Sequence, residues 1–305
     1  MTVKTNFKGG ISMIKEDYQK SLKMVRGFVN DILGGDIEKI QSFCFDDLRD
    51  SKYRGRIADP DMYSITQALY INLWGEIYDL SFENMGAWNP QNTHPFRGDT
   101  MNSFGSLIGK GKGKGQVGFR ARYFGADWNE ELWDKIVQFQ RMYHYVGNFI
   151  VIPNRGTVRC GINGARATFY NQSYCEGMRD YFDWYLISIG EYQDTVLNGG
   201  GLSKFGRQLQ MNQEYNPSFL RISEWEEKFF LKPYFKDGKP ILLFKTPLGE
   251  RLKITTIPEQ RKGTRFFDDE EYLDLLTDYL SKSITVIEYR SRVIVEVLKM
   301  KLQSY

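Results

Sequence analysis

The sequence predicts an α+β fold, predominantly helical, with short strands and a β-hairpin. Three observations lead there. Apolar residues recur at three- and four-residue spacing over long segments, and short β-branched runs bounded by turn formers are interspersed between them. The third is size: 305 residues at 41% hydrophobic and 15% aromatic supply a continuous core and span about twice the ~150 residues of one domain. One large domain or two packed subdomains fit, read as an N-terminal helical extension over 1–40 and an α+β core domain over 41–305.

The elements follow in order. Over 15–33, Tyr18, Leu22, Val25, Phe28, Val29 and Ile32 form one helix face, closed by Gly34-Gly35. A second helix opens after Asp59-Pro60-Asp61, carries Ile65, Leu69, Leu73 and Trp74 on one face, and stops at Gly75, with Ser64 or Asp61 as its cap. Prolines and glycines over 84–118 mark a loop. Leu132, Trp133, Ile136, Val137, Phe139 and Tyr143 restore helical spacing over 130–145, and 148–153 reads as a strand with 158–162 as its partner. An aromatic helix covers 179–196 and ends at Asn198-Gly199-Gly200-Gly201. Residues 241–244 and 251–257 flank the turn Thr246-Pro247-Leu248-Gly249 as a hairpin. From Asp268 the chain is helical to Leu302, acidic at its start and with Lys299 and Lys301 near its end, as the helix dipole favours.

Composition excludes several classes of function. Lys plus Arg at 41 against Asp plus Glu at 38 leaves +3, too little to imply a nucleic-acid partner without a clustered patch. Three scattered cysteines and two histidines without a CxxC pair argue against a disulfide framework and a structural zinc site. No signal-peptide pattern opens the sequence, and no apolar run reaches the ~18–20 residues of a membrane span. Cytoplasmic residence, without a membrane partner, is the expectation.

A local cationic patch does exist. Gly109-Lys110-Gly111-Lys112-Gly113-Lys114-Gly115 lies among Arg97, Arg120 and Arg122, beside Phe119 and Tyr123. Alternating glycine and lysine brings backbone N–H groups and ammonium heads close to phosphates, and the rings offer stacking surfaces. The spacing matches neither a P-loop nor GxGxxG, and a solvated flexible loop is the plainer alternative.

The densest polar stretch is 144–183. Arg166 has the planar fork for bidentate capture of a phosphate or carboxylate, and Asn163 the amide to orient it. Asp183, with Asp180 on the same helix face, could instead clamp Arg166 as a structural tie. His144, just before Gly147, has the chemistry of a general base. Arg290 or Arg292, crowded among Ile284, Ile287, Val293 and Ile294, could point back toward this centre, with a solvated face and a Glu288–Arg292 pair the plainer reading of Arg292.

These scattered residues carry a resemblance. Phe45-Asp46, Arg49-Asp50, Asp59-Pro60-Asp61, Ser64, Leu69 and Leu73-Trp74, then Gly147, Ile152-Pro153, the run 162–166, Asp180-Tyr181-Phe182-Asp183 and Leu186, and finally Glu288-Tyr289-Arg290-Ser291-Arg292 resemble a bacterial family, domain-of-unknown-function family 6994. The matches run in order over about 43–300; residues 1–40 and the Gly-Lys run look like additions. The resemblance implies that Asn163, Arg166, Asp183 and Arg290 belong to a recurrent scaffold, and the type of family suggests a defence or toxin-like setting.

Three functions are therefore carried forward. The first is binding of a nucleic acid or nucleotide through Asn163, Arg166 and Arg290, assisted by Lys110, Lys112 and Lys114. The second is a non-enzymatic protein-protein interaction or homo-oligomer built on the aromatic helices. The third is hydrolysis using His144 and Asp183. No cofactor or metal is specified.

Overall fold

Helix α1 (Gly10–Leu33) turns Leu22, Val25, Phe28, Val29 and Leu33 into the core, the face that its spacing predicts. Gly34 and Gly35 follow at φ 68° and 83°, and the Gly35 N–H donates back to the Val29 carbonyl at 2.9 Å, so the backbone closes the helix itself. The computed structural model describes residues 10–48, 50–55, 59–86, 96–102, 130–153, 182–200, 221–241, 243 and 270–304.

Helix α2 (Ser64–Tyr78) differs from its sequence reading in two respects. It is buried on nearly all sides rather than on one face, and it runs through Gly75 to end where Asp79 adopts φ 53°. Neither Ser64 nor Asp61 caps it; Tyr63 holds the N-cap position without a side-chain bond. A helix surrounded by protein needs no polar face. It packs lengthwise on α1, where Asn72 Nδ2 donates to Ser21 Oγ at 3.0 Å. Trp74 stacks on Tyr70, lies tilted against Phe229 and donates its indole N–H to the Lys228 carbonyl at 2.9 Å.

The loop expected over 84–118 contains a strand. β1 (Phe96–Thr100) pairs antiparallel with β2 (Phe149–Pro153), Phe96 opposite Pro153 and Thr100 opposite Phe149. β2 thus has its strand partner upstream; 158–162, read as that partner, lies outside the described residues. Gly98 permits the approach of this ribbon to the helices, because a Cβ there would sit 2.7 Å from the Tyr70 hydroxyl.

Helix α3 (Glu130–Met142) buries Leu132, Ile136, Phe139 and Met142. Helices α4 (Phe182–Leu197) and α5 (Ile222–Lys228) bracket residues 201–220. A hairpin follows: β3 (Phe235–Lys236) and β4 (Lys239–Pro240) are joined by Asp237 and Gly238 at φ 51° and 71°, the two positive values a tight hairpin requires. The hairpin read around Thr246-Pro247-Leu248-Gly249 lies outside the described residues, although Ile241 and Leu243 are described and belong to no strand.

Helix α6 (Glu270–Gln303) is one continuous element of 34 residues. It packs against α3, α2 and the short helices Ile37–Ser42 and Val146–Asn148. Its Tyr279, Ile287, Ile294, Val295 and Leu298 join residues of α1, α2, α3, α4 and both β2 and β3 in one core cluster. The expected boundary at residue 40 therefore crosses continuous packing, with Val25 and Phe28 inside the same core as the 41–305 segments. The fold is α+β, mostly helical with short antiparallel strand pairs.

Candidate functional site

Where β2 begins, the chain makes a single helical turn, Val146–Asn148, pressed against α6. Gly147 makes that approach possible: a Cβ there would fall 2.7 Å from the Ser291 backbone nitrogen and still nearer the Ile287 carbonyl. Its N–H donates to Ser291 Oγ at 3.1 Å. Two residues fasten onto this turn from different directions, Arg290 through its side chain and Asn102 through its backbone.

Arg290 is 0% exposed. Its Nη1 donates to the carbonyls of Gly147 and, at 2.9 Å, Phe149, and its Nε donates to the Phe229 carbonyl at 3.2 Å. One guanidinium thereby joins α6 to the start of β2 and to the end of α5. Its Nη2 has no hydrogen-bond partner, and among the described residues no carboxylate pairs with it. Removal from water pushes its pKa down to about 10, against the opposing influence of the Tyr234 and Tyr70 phenols.

Asn102, also 0% exposed, ends the described part of the chain after β1. Its backbone N–H donates to Asn148 Oδ1 and its carbonyl accepts from Asn148 Nδ2, both at 2.9 Å. Its Oδ1 accepts from the Tyr234 hydroxyl at 3.2 Å. Its Nδ2, like Arg290 Nη2, has no partner. Tyr234 also packs edge-on against Phe182 at 5.4 Å, and the next residue, Asp183, is buried in the first turn of α4.

His144 lies just before this turn and is 2% exposed. Its Nδ1 is 2.6 Å from Asp46 Oδ2, and Asp46 keeps 26% of its side chain exposed. The His144 ring rests on Tyr143 at 4.5 Å, and its carbonyl accepts from the Phe45 N–H at 3.1 Å. A carboxylate on Nδ1 fixes the ring's orientation and, in the neutral imidazole, leaves Nε2 as acceptor. The contact also ties the segment Phe45–Leu48 to the end of α3.

Of the residues proposed from sequence, Arg290, Asp183 and His144 are therefore buried in the interior. Asn163, Arg166, Lys110, Lys112 and Lys114 lie outside the described residues. Arg292, the neighbour of Arg290 at the next turn position, faces solvent. Sequence reasoning overlooked Asn102, Asn148 and Tyr234 at the centre and gave Asp46 no chemical role. A polar residue inside an apolar strand pattern, as at Asn148 before Phe149-Ile150-Val151, was the available signal. No family model matches the chain, and no curated protein and no solved structure matches it.

Proposed function

We propose that this is a cytoplasmic bacterial protein that binds a phosphate-bearing ligand, a nucleic acid or nucleotide. Asn163 and Arg166 are its recognition residues, and Lys110, Lys112 and Lys114 assist. Kinship with domain-of-unknown-function family 6994, and with it a defence or toxin-like setting, belongs to the same proposal and rests on the ordered motifs from Phe45 to Arg292.

One observation carries the reading. The two cation-bearing stretches, 103–129 and 154–181, join the described core at residues held on a single side chain. Asn102 precedes the first and bonds to the Tyr234 hydroxyl at 3.2 Å; Phe182 follows the second and packs on the Tyr234 ring at 5.4 Å. Beside them stands Arg290, a buried cation without a carboxylate partner among the described residues. A buried cation beside the points where two lysine- and arginine-bearing stretches meet the described core favours an anion with several oxygens, which is the chemistry of phosphate.

Retention on immobilised RNA and single-stranded DNA across a salt series tests the proposal. Each phosphate neutralised by a cation adds roughly 0.7–0.9 to the slope of log affinity against log salt. The triple change K110E/K112E/K114E is expected to flatten that slope by roughly 2 and to weaken binding on every sequence. A folded Arg166→Ala protein is expected to lose retention as well. Indifference to both changes would overturn the reading.

A further inference from the structure

We infer that Lys236 and Lys239, opposite each other across the β3–β4 hairpin, hold one phosphodiester of a nucleic-acid strand between them. The inference deepens the nucleic-acid reading above and rests on it for the kind of polymer, but its own residues all lie among those described.

Lys236 and Lys239 form the last rung before the turn, which sets their Cβ atoms about 4.5–5.5 Å apart. Both are exposed, and neither forms an ion pair among the described residues. Elsewhere Lys52, Lys135, Lys228, Lys282 and Lys299 each reach a carboxylate. Like charges on one rung are unfavourable, so something other than this pair must hold the hairpin. Its backbone does so: Asp237 and Gly238 close the turn at positive φ, and the Ile241 N–H donates to the Tyr234 carbonyl at 2.9 Å. Tyr234 and Phe235 anchor the ribbon in the core. Two ammonium groups are thus carried on a fixed support without a counter-charge. The tip also stands clear, since a Cβ on Gly238 would meet nothing within 4 Å.

The complement must accept hydrogen bonds and carry negative charge, because ammonium groups only donate. Asp237, also exposed and in no ion pair among the described residues, leaves the tip with one net positive charge. One phosphodiester, singly charged, balances it; a doubly charged terminal phosphate would exceed it. A carboxylate is singly charged too, but its planar pair of oxygens suits a guanidinium fork, whereas two separate point charges suit the oxygens of a phosphate. The pair also lies close to the polar centre. Lys236 follows Tyr234 by two residues, about 7 Å of extended chain, and the Tyr234 hydroxyl donates to Asn102. Lys232, exposed at the start of the same segment, extends the cationic surface.

Retention of the full chain on immobilised oligothymidylate across a salt series tests this, with polyglutamate as the comparison surface. The double change Lys236→Thr and Lys239→Thr keeps strand-forming residues and removes both charges. It is expected to flatten the slope of log affinity against log salt by roughly 0.7. Its thermal midpoint should equal or exceed that of wild type, since the like-charge rung is gone. Asp237→Asn keeps a residue the turn favours, removes the negative charge, and is expected to strengthen retention about threefold at low salt. An unchanged slope in the folded double variant, with wild type retained, overturns the hairpin site alone. A slope that falls with Lys236 and Lys239 but ignores K110E/K112E/K114E and Arg166→Ala removes the recognition residues proposed above and keeps the hairpin. Equal retention on polyglutamate, lost in the same double variant, overturns the phosphodiester in favour of an acidic peptide. No retention of wild type on either surface overturns both readings.

Discussion

Arg290 illustrates how opposing terms meet at one residue. Its burial without a carboxylate partner among the described residues is unfavourable, yet three backbone carbonyls depend on it. Arg290→Ala relieves the first and strands the second, and it also leaves a cavity. Each stranded acceptor costs about 1–3 kcal/mol, so the variant is expected to lose about 2–4 kcal/mol of unfolding free energy in denaturant titrations. Tyr78 behaves in the opposite way. Its hydroxyl is buried with no hydrogen-bond partner, and Tyr78→Phe is expected to stabilise the protein by about 1 kcal/mol. Burial also holds the Tyr78 phenol above its usual 10.0, and burial with the nearby Asp61 and Asp99 carboxylates does the same for Tyr70. Above pH 10 the unfolded chain releases these protons and the folded chain keeps them. Their contribution is therefore constant below pH 10 and declines as pH rises, by up to about 1.4 kcal/mol per pH unit per phenol. Denaturant titrations across this range should show a shallower alkaline decline in Tyr78→Phe than in wild type.

At the scale of elements, contact between the Val146–Asn148 turn and α6 decides the geometry of the polar centre. Gly147 is present for space, since its backbone does not lie at positive φ. Gly147→Ala would drive a methyl group into the Ile287 carbonyl and the Ser291 backbone nitrogen as well as Ser291 Oγ, and the two backbone atoms cannot swing aside as a side-chain end can. Displacing the turn would break the Gly147–Ser291 and Gly147–Arg290 bonds together. The expected loss is about 3 kcal/mol or more, with a lower thermal midpoint as the readout. Helices were the more legible elements. The α1 face, the α3 face and the C-terminal helix all follow from apolar spacing, because a helix half-exposed to water must display its pattern. α2 broke the rule at Gly75 because protein on nearly every side stabilises its last turn. β1 was hidden because Phe96-Arg97-Gly98-Asp99-Thr100 has no apolar run; pairing with β2, some fifty residues downstream, makes it a strand. The Asp237-Gly238 pair was a readable hairpin signal, and attention to Thr246-Pro247-Leu248-Gly249 obscured it.

For the whole molecule, one core cluster spans α1 to α6, and among the described residues Tyr70, Trp74, Tyr78, Phe139, Phe182 and Tyr279 put their rings inside it. Among the described residues the exposed large hydrophobics are Ile32 and Met300, and no helix is long and apolar enough to cross a membrane. From sequence alone came the fold class, the main helices, the β2 strand and the marking of His144, Asp183 and Arg290 as unusual polar residues. Apolar periodicity and local charge are properties of neighbours along the chain, and they survive without knowledge of the fold. The tertiary structure decided which polar groups meet. His144 faces Asp46 across 98 positions, and Arg290 grips Gly147 across 143. Asn102, Asn148 and Tyr234 acquire their role in the same way. Such pairings arise because a buried donor must find an acceptor wherever packing brings one, and no local pattern in the sequence records that choice.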